Sequence, residues 1–354
     1  MSSKVIIPAY AHIIQQQLIP ALPEYWRHQV RFGIQALTIK PFISLASNAR
    51  ATITNPDTAS TNMDRLVGNA GLARELSRIV AGMGMITPRS ILACDHSDMN
   101  GLLTFMGAVQ TGKGRGIPCT LETLYSQFLP AGNQSSKRKQ KLRQARLEAG
   151  IHLYDQALAC LEQLALDLGF WPRLVFDRGF GGISFIRGLM EHEATFYIRL
   201  KAGRLVELGG AEYKAGELPA NDMRITLGGL CLRVIRSDEP AEGEPWLILT
   251  SDMAKSRKKI IRIYYHRFEI EETFKDLKHV LSLKLMKLTK PLSLKLLLWF
   301  ASLRFILSYL ASHQDPRYGK LRHPKKRISW FRRLSEALTR EAYAPVCDLI
   351  TGGL

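Results

Sequence analysis

Residues 263–280 read IYYHRFEIEETFKDLKHV, and the spacing of their polar and apolar positions predicts one continuous helix. At about 100° per residue, Tyr264, Arg267, Glu271 and Lys278 project within one polar stripe roughly 60° wide. Ile263, Ile270, Phe274, Leu277 and Leu281 form an adjoining apolar stripe, so the polar one borders a core face. Side chains on such a border are only partly solvated, and a carboxylate, a guanidinium, an ammonium and a phenol there can act together on a charged group. Arg267 and Glu271 are also spaced i, i+4, a pairing common on ordinary surface helices and worth only a few tenths of a kcal/mol. The rest of the chain has to separate a solvated face from a site.

The 354 residues are 46% hydrophobic and 23% charged, enough for a sizeable core in two or three folding units. The net charge is +18, a surplus that in a soluble chain points to a polyanion, nucleic acid first. It is concentrated: residues 253–354 carry +14, while residues 203–252 carry −4. The last quarter therefore reads as a phosphate-facing surface, preceded by a mildly acidic insert. Cys94, Cys119, Cys160, Cys231 and Cys347 are odd in number and show no CxxC spacing, which argues against a disulfide framework and a zinc site. The opening MSSKVIIPAYAHIIQQQL lacks a signal-peptide pattern, and the apolar run at 294–311 is interrupted by Lys295 and Arg304, so it reads as a core helix. These features predict a cytoplasmic protein with no membrane partner.

Residues 1–85 read as mostly helical. The period then changes to two, in SILACDHSD, LLTFMGAVQT and IPCTLETLY, with the turn GKGRG at 112–116. These predict an antiparallel meander. A helical segment from about Ser136 to Leu168 opens with the basic run KRKQKLRQAR, and is followed by the short strand RLVFD, the turn RGFGG, a helix through Met190 and the strand ATFYIRLK. Residues 203–252 read as strands and turns, and the chain after the opening helix is helical and basic, as in RHPKKRISWFRR at 322–333. Omitting the insert leaves the order β-β-β-α-β-α-β-α, an α/β core. Three units follow: 1–85 helical, 86–290 the α/β core with its β-rich insertion, and 291–354 basic and helical.

Asp95 closes one apolar strand, ILACD, and Asp177 closes another, RLVFD. Each alone is ordinary turn chemistry. Converged by one fold with Glu271, they would make a set of three carboxylates. Cleaving a phosphodiester with two divalent ions requires such hard oxygen ligands, one ion activating the nucleophile and the other stabilising the leaving oxygen. His96, His192 and His266 lack metal-ligand spacing and read as structural or solvated.

The pattern Tyr264-x2-Arg267-x3-Glu271-x6-Lys278 resembles the Y-x2-R-x3-E-x6-K signature of bacterial insertion-sequence DDE transposases of the insertion-sequence-four family. The resemblance extends to Asp95-x-Ser97 after two hydrophobic residues, to FDRGF around Asp177, to the β-rich insert and to PWLILTSD before the signature helix. It implies a ribonuclease H-like catalytic core with Asp95, Asp177 and Glu271 as ligands for two Mg²⁺ ions, Mn²⁺ substituting. Tyr264, Arg267 and Lys278 would bind the transposon end, and Trp246 would stack on a base flipped from it. Phe268 stands where many relatives have tryptophan. The implied activity is cleavage at transposon ends and strand transfer into target DNA, a hairpin being one route, within a homodimer that pairs two ends on double-stranded DNA. A nuclease or resolvase on the same core, and a non-catalytic DNA-binding relic, are the rival readings.

Overall fold

Asn69 is an extended residue whose side chain accepts a hydrogen bond from Leu72 N at 3.0 Å, and this cap starts the last of the three longer helices that precede the sheet among the described residues. They are α1 (Glu24–Gly33), α2 (Pro56–Val67) and α3 (Ala70–Gly82). The protein is described from a computed structural model covering residues 14–34, 56–83, 85–99, 102–125, 153–237, 245–280 and 290–314, with positions 137, 140 and 144. The expected basic segment 322–333 and most of the run KRKQKLRQAR lie outside the described residues.

The three period-two runs form the predicted meander, β1 (Ile91–Met99), β2 (Leu102–Val109) and β3 (Ile117–Tyr125), paired antiparallel in sequence order. Gly112 and Gly114 make the β2–β3 turn possible, at φ of 69° and 83°, a region that side-chain-bearing residues resist. Helix α4 (Leu153–Leu168) leads to β4 (Arg173–Phe176), parallel to β1, and α5 (Ile183–Glu191) leads to β5 (Phe196–Leu200), parallel to β4. The order β3-β2-β1-β4-β5, with this mix of directions, is the ribonuclease H-like arrangement.

The insert is β-rich as expected, yet it is not set apart. Its strands β6 (Leu205–Leu208), β7 (Ala211–Lys214), β8 (Asp222–Leu227), β9 (Leu230–Arg236) and β10 (Leu247–Thr250) continue the same sheet. Strand β10 pairs antiparallel with β5, and the ten strands run β3-β2-β1-β4-β5-β10-β9-β8-β6-β7.

One face of the central strands carries Leu92, Cys94, Leu174 and Phe176 into a core shared with α4 and α5. Val175, Tyr197, Ile235, Trp246 and Ile248 on the other face pack with Ile260 and Tyr264 of α6 (Arg257–Tyr265). The apolar run after the site forms α8 (Pro291–Gln314), which packs on β3 and α3. By length and composition this helix could cross a membrane, but it is mostly buried within the protein, the core helix expected from its sequence. It approaches α1 closely at Gly33, where a Cβ would stand 2.3 Å from the Phe300 ring.

The continuous helix expected over 263–280 is instead broken. Helix α6 ends at Tyr265, α7 spans Phe268–Lys275, and a π-helical turn follows at Asp276–Val280. Across the break the bonds run three residues back: Arg267 N to Tyr264 O at 2.9 Å, Glu269 N to His266 O at 3.1 Å and Ile270 N to Arg267 O at 3.1 Å. The two helices answer to different anchors. Tyr264 is fixed in the cluster over β4, β5 and β10, while Glu269 and Thr273 are tied to the β2–β3 turn, and these tertiary contacts outweigh the local helical period.

Candidate active site

Asp95 does not close its strand, since β1 runs on to Met99 in its pairing with β2, but register still brings the two aspartates together. Cys94 pairs with Phe176 in the parallel β1–β4 ladder, so Asp95 and Asp177 follow side by side on strands about 4.8 Å apart. Ala93 and Val175 are partners, and two residues further along each strand Asp95 and Asp177 return to that face, the one covered by α6 and α7. Asp98, three residues beyond Asp95, is exposed and belongs to the opposite face of β1.

The FDRGF segment is built around Asp177. Its Oδ1 accepts a hydrogen bond from Gly179 N at 2.5 Å and caps a short 3₁₀ turn, and a Cβ at Gly179 would stand 2.7 Å from that oxygen. Tyr154 Oη donates to Gly179 O at 2.5 Å. Phe180 is buried and stacks on His96 with ring centroids 5.0 Å apart. Burial holds the His96 imidazole down at about 4, against the opposing pull of Asp177, so this histidine serves as a neutral ring in the packing, the structural role expected of it.

Glu271 faces Asp95 across a guanidinium. Arg267 is 6% exposed, with Nη1 donating to Asp95 Oδ2 at 3.4 Å and Nη2 to Glu271 Oε1 at 2.5 Å. Its Cζ lies 4.8 Å from the Phe268 ring centroid and 5.9 Å from that of Tyr264. The Asp95 carboxyl is pushed up to about 6, first by burial and then by Asp177, with Glu271 adding to the rise and Arg267 and the His96 N–H opposing it. Both other acids thus act on Asp95 electrostatically. Lys278 completes the polar edge, its Nζ donating to Ser97 Oγ at 2.7 Å. The Asp-x-Ser spacing puts Ser97 on the same strand face as Asp95.

Tyr264 and Trp246 are placed differently from the other expected DNA contacts. Tyr264 is 1% exposed and Trp246 is 6% exposed, and their rings meet edge-on at 5.3 Å in the core. Burial raises the Tyr264 phenol to about 12. The exposed aromatics at this edge are Tyr265 and Phe268, with ring centroids 6.5 Å and 6.0 Å from that of Trp246.

Sequence reasoning missed the residues that hold the Glu271 helix. Glu269, 4% exposed, accepts hydrogen bonds from Thr111 N at 2.7 Å and Gly114 N at 3.4 Å, and lies 3.2 Å from His266 Nδ1. Thr273 Oγ1 accepts from Gly116 N at 3.0 Å, and Arg115 Nε lies 2.6 Å from Asp276 Oδ2. The glycine turn therefore docks directly against the helix bearing the third acid. The available signal was GKGRG itself, a turn whose exposed N–H groups call for an acceptor.

Among the described residues, no group of three or more His, Cys, Asp or Glu side chains stands close enough to hold a metal ion as arranged. The Arg267 guanidinium lies between Asp95 and Glu271 and supplies positive charge there. The donor chemistry nevertheless suits a hard divalent cation, since all three groups are carboxylates and burial and like charge raise Asp95 in a way that a cation would relieve.

The strand order and the register that sets Asp95 beside Asp177 define the class: a ribonuclease H-like α/β protein. The family described as transposase DDE domain matches residues 140–307, a stretch that takes in Asp177 and Glu271 and begins after Asp95. No curated protein matches the sequence. Among solved structures, a piggyBac transposase synaptic complex with hairpin DNA is similar at 12% identity and a TM-score of 0.44, covering 96% of this chain and 81% of that one.

Proposed function

We propose that this protein is a DNA transposase of the insertion-sequence-four type that cleaves at transposon ends and transfers the freed strands into target DNA. What supports this reading most is that the β1–β4 register carries Asp95 and Asp177 on adjacent parallel strands, with Arg267 joining Asp95 to Glu271 and two of the three acids inside the matched transposase stretch. Asp95, Asp177 and Glu271 would hold Mg²⁺, or Mn²⁺ in its place. When bound, the ions would supply activation of a hydroxyl nucleophile and stabilisation of the leaving oxygen.

The chain's own residues divide the remaining work. Arg267 offers the two-pronged donor that suits a phosphate, and Lys278, held by Ser97 beside Asp95, adds a point charge. Tyr264 and Trp246 form the packed support beneath Arg267 and act on the transposon end through it. The basic surplus of residues 253–354 suits long DNA, and pairing of two ends calls for a homodimer. A hairpin intermediate and a cytoplasmic, nucleoid-associated setting belong to the same proposal.

The test is cleavage and joining of a labelled duplex carrying the element's own end, in Mg²⁺ and in Mn²⁺, by wild type, Asp177→Ala and Glu271→Ala. Binding by all three with cleavage and joining by wild type alone is the expected result. Cleavage that survives Glu271→Ala removes that residue from the ligand set. Cleavage without joining by wild type favours a nuclease, and binding without cleavage favours a relic.

A further inference from the structure

Arg267 is placed strangely for a residue whose only task is to grip DNA. It is almost fully buried, and both Nη nitrogens point at acids, at 3.4 Å to Asp95 and 2.5 Å to Glu271. Its Nε is buried and has no hydrogen-bond partner. One cation therefore joins the acid on β1 to the acid on α7, in the place where a divalent ion shared by those acids would concentrate its charge. A guanidinium and a metal ion compete for such a position, because a carboxylate lone pair given to an N–H is not available to the ion and the two positive charges repel. The arrangement is uneven: the Arg267 side chain is 8% exposed and that of Glu271 is 41% exposed, so the far end of the bridge opens to solvent. The partly exposed Phe268 ring lies alongside the guanidinium and offers it a cation–π surface.

We propose that Arg267 is an interlock: without DNA its guanidinium fills the cation position between Asp95 and Glu271, and a DNA phosphate that captures it releases both carboxylates to divalent ions. The capture step rests on the transposase reading above; the competition with the ion does not. Linkage then requires that DNA tighten ion binding and that ions tighten DNA binding by the same factor. The arrangement would keep the acids unloaded until a DNA end is in place.

The experiment measures Mn²⁺ affinity of the metal-stripped full chain by calorimetry and by the electron paramagnetic resonance signal of free Mn²⁺, with and without a 5′-phosphorylated duplex. Wild type, Arg267→Met and Arg267→Lys are compared after circular dichroism has verified their fold. Without DNA, Arg267→Met is expected to bind Mn²⁺ more tightly than wild type by a factor within the roughly 5- to 150-fold range of such couplings. DNA should tighten wild type by a similar factor and leave Arg267→Met unchanged. Arg267→Lys, which cannot span both acids, should fall between them, and it carries the test if the methionine variant does not fold. Equal or weaker Mn²⁺ binding by the variants overturns the interlock. DNA that binds wild type by fluorescence anisotropy without changing its Mn²⁺ affinity overturns phosphate capture alone, and failure to bind DNA at all counts against the transposase reading and leaves the ion competition standing.

Discussion

Asp95 and His96 are neighbours on β1 whose proton affinities shift in ways that oppose each other in their effect on stability. The folded protein holds the Asp95 carboxyl at about 6, against an ordinary 3.8, chiefly through burial. It therefore binds that proton more tightly than the unfolded chain, and stability from this group is present at low pH and is lost as pH rises from 4 to 6. At about 1.36 kcal/mol per pH unit, the loss is about 3 kcal/mol. His96 is held at about 4 against an ordinary 6.5, again by burial, so its contribution is present above 6.5 and is lost as pH falls toward 4. That loss is also about 3 kcal/mol. Between pH 4 and 6 the two nearly cancel, and the metal-free wild type should show little slope from this pair. Urea unfolding in EDTA at pH 4, 5, 6 and 7 tests it. Asp95→Asn should expose the histidine, so that the variant gains stability relative to wild type as pH rises. His96→Phe, whose ring can keep the stack on Phe180, should expose the aspartate and lose stability over the same interval. Curves for both variants that run parallel to wild type would refute the reasoning.

Glu269→Ala leaves Thr111 N and Gly114 N without their acceptor and should cost on the order of 3 kcal/mol in urea unfolding, with faster hydrogen exchange at those two amides; a loss below about 1 kcal/mol would mean the turn is held by other contacts. Tyr264→Ala opens a cavity in the cluster with Trp246 and should cost about 3–5 kcal/mol in the same assay. Tyr264→Phe keeps the packing and should cost about 1 kcal/mol, so weaker DNA binding by this variant in anisotropy would assign the hydroxyl a role beyond the core. Gly228→Ala adds a Cβ 2.5 Å from Ile183 at a residue with φ of 57°, and a thermal melt should register a destabilisation of about 1–3 kcal/mol.

The five-strand core was legible because each strand announces itself by period and each crossover by a helical segment, and parallel pairing of β1 with β4 then brings Asp95 and Asp177 together. The contact of Arg267 with Glu271 was legible from i, i+4 spacing, which survives because both residues lie at the start of α7. The helix break was not. It depends on Glu269 and Thr273 meeting a turn more than 150 residues earlier in the chain, and periodicity carries no record of such a meeting. Trp246 and Tyr264 read from the sequence as contacts of the transposon end, yet an aromatic ring suits a core as well, and only the closing of α6 over β10 shows them buried together. Alternation along 203–252 likewise identifies strands without saying which neighbour they join.

That neighbour has a consequence for anyone wishing to trim the protein. The excursion after β5 returns through β10, which pairs with β5 on one side and β9 on the other and then leads into Ser256 and α6. All four residues of β10 are buried. Excising the hairpins of β6 to β9 to make a smaller protein would strip β10 of a partner and turn a buried apolar strand into a raw edge one strand removed from β4, an invitation to intermolecular pairing. The β-rich segment is therefore a poor site for deletion or domain exchange, and the tight two-residue turn at Gly209 and Gly210, next to the exposed outermost strand β7, is where a tag or fusion would disturb the sheet least.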